Sequence, residues 1–398
     1  MFKTQKLFVL GDQVFTALYN FVFVLTTSLI LPTKEFVIIN YMVLLVMFVV
    51  NVCNAIVFQP FMRQTNNKET ISKGLLKLVQ KYLSVTFLLS ILIFLIFSKI
   101  YNVNYEVIIL GYFWLLFLTI YELCKRINMV TNRWKLNFIS GLLLNCFTWG
   151  IVYILLPRTN KEYLFISVII LGCILLANLI MLKLNIVNTK QITNTPYEKL
   201  EFKQDGKILL GGAVSFWFIS GGYLLCLSGI LSVDEISNLR IIQNLFNGIL
   251  ILSTTLDNYI LAGNGKEIHR NQRVMGWGLI GIIIFYSIFV YFAAKIIYPE
   301  NLSLLYLLPI WLVFYLILGL SRFLISLIKY FSVSRTVFTS QFLSAVTYIV
   351  LMLLWSLFFN FNAYIVSILW LPSVFIILII NLQKMRYIDK RMIMEEYS

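Results

Sequence analysis

The sequence predicts an all-α integral membrane protein with twelve transmembrane helices arranged as two six-helix bundles. Three observations predict this class: long apolar runs alternate with short connectors, basic residues gather in every second connector, and a polar stretch divides the runs into two sets of six. Each run has about the 20 residues that an α-helix needs to cross a bilayer. Because lipid offers the backbone no hydrogen-bonding partners, the runs are expected to be helical.

The apolar runs divide the chain into four predicted parts. Residues 1–182 form an N-terminal bundle, 183–206 a cytoplasmic linker, 207–383 a C-terminal bundle and 384–398 a cytoplasmic tail. In chain order, the predicted spans are Leu7–Leu31, Phe36–Met62, Leu75–Ser98, Glu106–Cys124, Leu136–Leu156, Tyr163–Leu182, Lys207–Leu231, Leu239–Leu261, Met275–Tyr298, Ser303–Ile328, Val337–Phe359 and Tyr364–Leu382.

The distribution of Lys and Arg predicts the orientation. Most of the 32 basic residues, Lys125 among them, lie in connectors on the side that also carries both termini. Cytoplasmic loops carry such an excess of Lys and Arg, so both termini are expected to face the cytoplasm of a bacterial inner membrane. The formal charge of +15 then reflects topology and attraction to anionic membrane lipids rather than nucleic-acid binding.

The sequence lacks the residues that several classes of protein function require. The five cysteines lie in or beside apolar runs without a metal-ligand spacing, and His269 is the only histidine. No phosphate-binding loop motif is found, and the predicted outward connectors are too short for a catalytic domain. The sequence therefore predicts no metal, no cofactor and no catalytic residues.

The two halves of the chain show a weak internal repeat. Shifting residues 202–262 onto residues 2–62 aligns roughly twice as many identical residues as this composition gives by chance. Gly11 aligns with Gly211, for example, and Glu35 with Glu235. An even number of spans in each half makes the repeat parallel, which is a common plan for transporters with a central site.

Polar residues inside three spans recur at helical spacing and predict a wet cavity. In span 8 they form a stripe on one helix face: Arg240, Gln243, Asn244, Asn247, Thr254 and Asn258. Asn40, Asn51 and Asn54 follow the same phase in span 2, and Asp12, Thr16 and Asn20 line up in span 1. Amides and charges are costly in hydrocarbon, so these stripes either face a cavity or join neighbouring helices by hydrogen bonds.

Individual charges leave alternatives open. Asp12 is either a carboxylate that binds a coupling cation or proton, or an acid stabilised near a helix N-terminus. Arg240 is either a cavity cation or an arginine that extends to the membrane interface. Arg322 could pair with Asp12 or Asp257, or extend in the same way.

The opening of the chain carries motifs of a known family. Leu10-Gly11-Asp12-Gln13, Leu31-Pro32-Thr33-Lys34-Glu35-Phe36 and the end of span 2, Asn54 to Pro60, resemble the start of Wzx-like polysaccharide flippases. These flippases belong to the multidrug/oligosaccharidyl-lipid/polysaccharide (MOP) exporter superfamily. The close resemblance covers about residues 8–62.

The resemblance implies a MATE-like fold and a substrate. Two six-helix bundles would enclose a cavity lined by spans 1, 2, 7 and 8, which binds an undecaprenyl-pyrophosphate-linked oligosaccharide, an O-antigen or capsule repeat unit. A polysaccharide polymerase and a chain-length regulator would be partners. Related flippases carry several basic cavity residues, whereas the repeat partner of Arg240 here is Asn40.

Two other functions are compatible with the sequence. A drug or small-molecule antiporter of the same superfamily would depend on Asp12. A membrane-embedded polymerase or acyltransferase would need catalytic carboxylates at the outward face, where the chain offers six: Glu35, Glu106, Glu162, Asp234, Glu235 and Glu300.

Overall fold

The computed structural model describes residues 2–65, 71–131, 133–155, 163–186, 192–193, 199–260, 265–299, 301–331 and 335–396. These residues are helical apart from turns and one two-residue parallel strand pair, so the predicted all-α class is confirmed. By its internal contacts the chain forms two compact units, Met1–Trp217 and Phe218–Ser398. Each unit is described separately below.

The N-terminal unit is built around α5. Its elements are α1 (Phe2–Ile30), α2 (Thr33–Cys53), a π-helical segment (Asn54–Phe58), α3 (Gln59–Thr65), β1 (Ile71–Ser72), α4 (Lys73–Tyr101), α5 (Tyr105–Val130), α6 (Trp134–Leu155), α7 (Tyr163–Ile186), β2 (Ile192–Thr193) and α8 (Lys199–Trp217). Helix α5 packs on α2, α4 and α7, while α1 lies along α6 and α8 lies against α2 and the π-helical segment. Strands β1 and β2 pair in parallel.

The C-terminal unit is built around α13. It contains a second π-helical segment (Phe218–Gly222), α9 (Tyr223–Leu227), α10 (Val233–Tyr259), α11 (Gly265–Arg270), α12 (Gln272–Ile297), α13 (Leu302–Phe331), α14 (Arg335–Ser356) and α15 (Ala363–Glu396). Helix α13 packs on α10, α12 and α15, and α14 packs on α15. The contacts of α13 with α10, α12 and α15 correspond to those of α5 with α2, α4 and α7 in the N-terminal unit.

A helix lies at each of the twelve predicted spans. In the described part of the chain, ten helical segments are long and apolar enough to cross a membrane, which makes this a multi-pass membrane protein. Helix α1 contributes a shorter apolar stretch, Val14–Ile30. Helix α10 has the length of a span, but its charged and amide side chains lower its hydropathy. Twelve crossings and cytoplasmic termini stay predictions.

Some helix boundaries differ from those expected from hydropathy. Helix α8 begins at Lys199, inside the predicted linker 183–206, and α15 continues to Glu396 through most of the predicted tail 384–398. The division between the two units follows Trp217, within predicted span 7. Regular helix geometry is interrupted there at Gly221, whose φ is 172° and ψ −24°. Hydropathy predicts only the part of a helix that lies in lipid. It therefore misses the polar turns by which a helix extends beyond the membrane.

The internal repeat is visible in the pattern of burial. Each residue from 31 to 50 has the same degree of burial as the residue 200 positions later, from 231 to 250. The hydrogen bonds at the start of the two helices also correspond, since Leu31 N bonds Thr27 O at 3.0 Å and Leu231 N bonds Leu227 O at 3.0 Å. The structure therefore supports the duplication that the sequence only weakly indicates.

Candidate functional site

The polar stripe of α10 is largely buried in the C-terminal unit. Arg240, Gln243 and Asn244 are 8 %, 1 % and 3 % exposed, and Asn247 is half-buried. Helical spacing places these four side chains on one face over successive turns. The side chains of Thr254 and Asn258 lie outside the described residues. The structure thus brings the predicted basic residue and its amide neighbours together.

Arg240 and Gln243 join a network with two tyrosines. The Arg240 guanidinium donates from Nη1 to Gln243 Oε1 at 3.5 Å, and Gln243 Nε2 donates to the Tyr223 hydroxyl at 3.0 Å. The Tyr315 hydroxyl donates to the Gln243 carbonyl at 3.2 Å. A cation surrounded by neutral donors and acceptors, instead of water, retains much of its attraction for an anion.

Aromatic rings pack around this network. Tyr223 lies edge-on to Trp370 with ring centroids 5.0 Å apart, and Trp370 stacks on Tyr348. Tyr315 stacks on Phe246 at 5.2 Å. The sequence analysis assigned no role to these tyrosines, because membrane proteins carry many aromatic residues at span ends and nothing local distinguishes the buried ones.

The predicted amides of span 2 lie in different surroundings. Asn40 is 2 % exposed and donates from Nδ2 to the Phe36 carbonyl at 2.7 Å, within its own helix. Asn51 and Asn54 are half-buried, and Asn54 opens the first π-helical segment. Asn40 therefore satisfies at least one donor locally, whereas Asn51 and Asn54 stay partly accessible.

Asp12 forms a buried ion pair that the sequence analysis did not predict. Lys125 Nζ lies 3.1 Å from Asp12 Oδ2, and the two side chains are 3 % and 2 % exposed. The ammonium also donates to Thr16 Oγ1 at 3.0 Å and lies 3.8 Å from Glu122 Oε1. Glu122 in turn lies 3.9 Å from Arg126.

The position of Lys125 corrects one sequence interpretation. Charge counting placed Lys125 in a cytoplasmic connector, because the apolar run ends at Cys124. Helix α5 instead continues to Val130; it packs against α6, and Lys125 in its last turns contacts Asp12 of α1. The Asn137 side chain of α6 donates to the Lys125 carbonyl at 3.0 Å, which fixes this end of α5.

A cavity of about 120 Å³ adjoins the ion pair within the N-terminal unit. Four polar residues line it, two from α1, one from α5 and one from α6: Thr16, Asn20, Glu122 and Asn145. A water molecule occupies about 30 Å³ in the liquid, so the cavity has room for a few waters or an ion. It is far too small for an oligosaccharide.

A second ion pair lies in the C-terminal unit. Lys329 Nζ of α13 is 3.6 Å from Asp257 Oδ2 of α10, and both side chains are nearly buried. Arg322 lies within electrostatic range of Asp257, as one of the alternatives for Arg322 anticipated. Lys329 follows the end of the predicted span Ser303–Ile328, but α13 continues to Phe331.

Neither ion pair is a metal centre. In the described part of the chain, no three His, Cys, Asp or Glu side chains come together as metal ligands. One predicted outward carboxylate has a structural role: Glu235 accepts hydrogen bonds from Ser232 N at 3.0 Å and Ala363 N at 3.1 Å. It completes the capping box that begins α10.

Comparison with known proteins identifies the fold. No protein-family model and no curated protein matches the chain. A crystal structure of a MATE transporter in the bent conformation matches at 11 % identity and a TM-score of 0.64, over 98 % of this chain and 95 % of that one. An outward-facing multidrug resistance MATE transporter of the MOP superfamily matches at 11 % identity and 0.63, over 96 % and 93 %.

A third match is a MOP superfamily transporter from Pyrococcus furiosus, at 11 % identity and a TM-score of 0.64, over 96 % of this chain and 94 % of that one. Its reported reverse polarity of the binding pocket suggests a different function for that protein. At such identities the matches show the fold alone. The chain therefore has the fold of MATE transporters of the MOP superfamily.

Proposed function

We propose that this protein is a flippase that moves an undecaprenyl-pyrophosphate-linked oligosaccharide across the bacterial inner membrane by alternating access. It would act as a transporter and not as an enzyme. Three observations support the proposal: the transporter fold, the flippase-like motifs around Asp12 and Glu35, and the buried Arg240 network.

A buried arginine beside amides is the observation that carries the proposal. Arg240 is 8 % exposed, lies within α10 and donates to the neutral amide of Gln243. A diphosphate needs cationic donors to cross a hydrophobic environment, and Arg is well suited because its planar fork binds two phosphate oxygens at once.

Half-buried amides suit the sugar part of such a substrate. Asn247, on the same face of α10 as Arg240, retains accessible surface. Amides both donate and accept, so they can replace the hydration of sugar hydroxyls. A polysaccharide polymerase and a chain-length regulator would receive the transported unit.

A deletion in the native host tests the substrate class. The flippase predicts loss of the surface glycan and accumulation of single lipid-linked repeat units on the cytoplasmic leaflet. The plasmid-borne wild-type gene, expressed at the native level, is the control and should restore both. An unchanged glycan would contradict the proposal, and unpolymerised units on the outer leaflet would indicate a polymerase.

A small-molecule antiporter is the second candidate, favoured by the similarity to a multidrug resistance MATE transporter. Binding an organic cation would require an accessible carboxylate, and the candidate residue was Asp12. Its ion pair with Lys125 argues against that role. If the deletion strain kept its glycan and became sensitive to cationic drugs, the antiporter would replace the flippase.

A further inference from the structure

The surroundings of Lys125 Nζ have the composition of a small cation site. Three side-chain oxygens from two helices lie near it: Thr16 Oγ1 at 3.0 Å, Asp12 Oδ2 at 3.1 Å and Glu122 Oε1 at 3.8 Å. The Tyr121 ring centroid lies 5.6 Å away on another side. Carboxylate and hydroxyl oxygens are the ligands that hard cations prefer, and the lysine ammonium is itself a compact point charge.

The adjoining cavity shares residues with this place. Thr16 and Glu122 contact the ammonium and also line the cavity of about 120 Å³. An ion in that cavity would therefore lie beside two of the three residues whose oxygens surround Lys125. The ammonium, however, is attached to α5 and cannot exchange with the solvent.

Among the described side chains, the groups that face Lys125 come from α1, α5 and α6. Helix α1 contributes Asp12 and Thr16, and α5 contributes Tyr121, Glu122 and Arg126. Helix α6 contributes neutral groups: the Ser140 hydroxyl lies 3.4 Å from the Tyr121 hydroxyl, and Asn137 bonds the backbone. Among these described side chains, two acids balance two bases.

The C-terminal unit repeats the arrangement with different residues. Lys329 of α13, the counterpart of α5, lies 3.6 Å from Asp257, and Arg322 adds further positive charge. In the described spans, both intramembrane aspartates thus lie beside a lysine of the central helix of their unit. Of the aspartates in the described spans, Asp12 and Asp257 are therefore each held by a lysine of the protein itself.

We propose that Lys125 is a built-in replacement for an exchangeable monovalent cation. It occupies an oxygen-lined site in the N-terminal unit, so the wild-type protein binds no Na⁺ there. Removal of the lysine side chain leaves Asp12, Thr16 and Glu122 around an open space and creates a Na⁺ site. The inference holds whichever substrate the protein carries, because it concerns ion binding and not transport.

The purified full-length chain in detergent provides the test. Melting temperatures are compared in NaCl and in choline chloride at equal ionic strength, and bound ²²Na⁺ is measured at equilibrium. For the wild type we expect equal melting temperatures and no saturable ²²Na⁺ binding. For Lys125→Ala we expect Na⁺ to raise the melting temperature by about 3 °C or more, because a ligand that binds only the folded state stabilises it.

Two further variants are matched controls. Lys135→Ala removes an exposed lysine of α6 and should behave as the wild type. Asp12→Asn combined with Lys125→Ala removes the main carboxylate along with the lysine and should lose the response to Na⁺. If Lys125→Ala fails to fold, Lys125→Ser also removes the long side chain and takes its place in the same comparison.

Two results would overturn the proposal. One is a wild-type protein whose melting temperature rises with Na⁺ or that binds ²²Na⁺ in a saturable manner. The other is a folded Lys125 variant that melts identically in both salts. Neither result depends on the glycan of a deletion strain, so failure of this inference is separate from failure of the proposed flippase.

Discussion

Arg240 is the residue on which the proposed substrate depends most directly. It lies two turns into α10, is 8 % exposed and donates to the Gln243 amide, which in turn donates to the Tyr223 hydroxyl. An arginine that merely extended to the membrane interface would keep its guanidinium in water. The burial therefore favours the first of the two alternatives for Arg240, a cation inside the protein.

Arg240→Ala should lower transport without lowering the amount of protein. Loss of a charge-assisted contact costs about 1.5–3 kcal/mol, which corresponds to roughly a 10- to 150-fold loss of rate. The measurement is recovery of surface glycan in the deletion strain, normalised to membrane protein by immunoblot. Arg335→Ala, which removes an exposed arginine of α14, is the control. Normal glycan with Arg240→Ala would contradict the assignment.

Gln243→Ala should behave differently, because Gln243 also holds the structure together. The substitution leaves the buried Tyr223 hydroxyl without its 3.0 Å partner, and a buried unsatisfied group costs about 1–3 kcal/mol. We expect a lower melting temperature of the purified protein. Tyr223→Phe combined with Gln243→Ala removes both partners and should recover part of the loss; no recovery would show that the hydrogen bond matters little.

At the scale of elements, close contacts between helices constrain the positions of small residues. Gly206 of α8 packs on Ile56 of the first π-helical segment, and a Cβ at Gly206 would lie 3.4 Å from the Ile56 backbone. The sequence analysis placed Gly206 at the end of a linker. The structure places it in a helix contact, where space for a side chain is limited by backbone that cannot move aside.

Gly206→Leu should destabilise the protein by about 1–3 kcal/mol, because the larger side chain forces α8 away from Ile56. The melting temperature of the purified protein measures the effect. Gly281→Leu is the matched control, since it adds the same side chain to α12 at a position with no atom within 4 Å. Equal melting temperatures for the two variants would show that the α8 contact is loose.

At the scale of the whole molecule, the repeat of 200 residues extends beyond the initial match. The burial of α5 from 106 to 116 corresponds position by position to that of α13 from 306 to 316. The charges do not follow the repeat, because Glu122 corresponds to Arg322 and Asp12 to Gly212. The two units therefore share a packing plan and differ in electrostatics.

The predicted orientation is testable by labelling single cysteines in a cysteine-free background. Asn102→Cys and Asn360→Cys should react with a membrane-impermeant maleimide in spheroplasts. Lys135→Cys and Arg335→Cys should react only after the inner membrane is permeabilised. All four positions are exposed, so accessibility depends on the side of the membrane alone. The reverse pattern would contradict cytoplasmic termini.

The sequence by itself determined the all-α class, the position of a helix at every predicted span and the α10 stripe. These features depend on local composition: the thickness of a bilayer sets the length of an apolar run, and helical spacing sets which residues share a face. No partner elsewhere in the chain is needed to predict them. The transporter fold, by contrast, was implied by the resemblance of the opening motifs to a known family.

Only the tertiary structure decided the surroundings of Asp12 and of Gln243. Lys125 follows the end of an apolar run, and the sequence does not distinguish a lysine in a solvated connector from one buried against α1. Its partner depends on how α1, α5 and α6 pack, which joins residues far apart in the chain. Interactions between helices are set by packing, because hydropathy describes each helix against lipid and not against its neighbours.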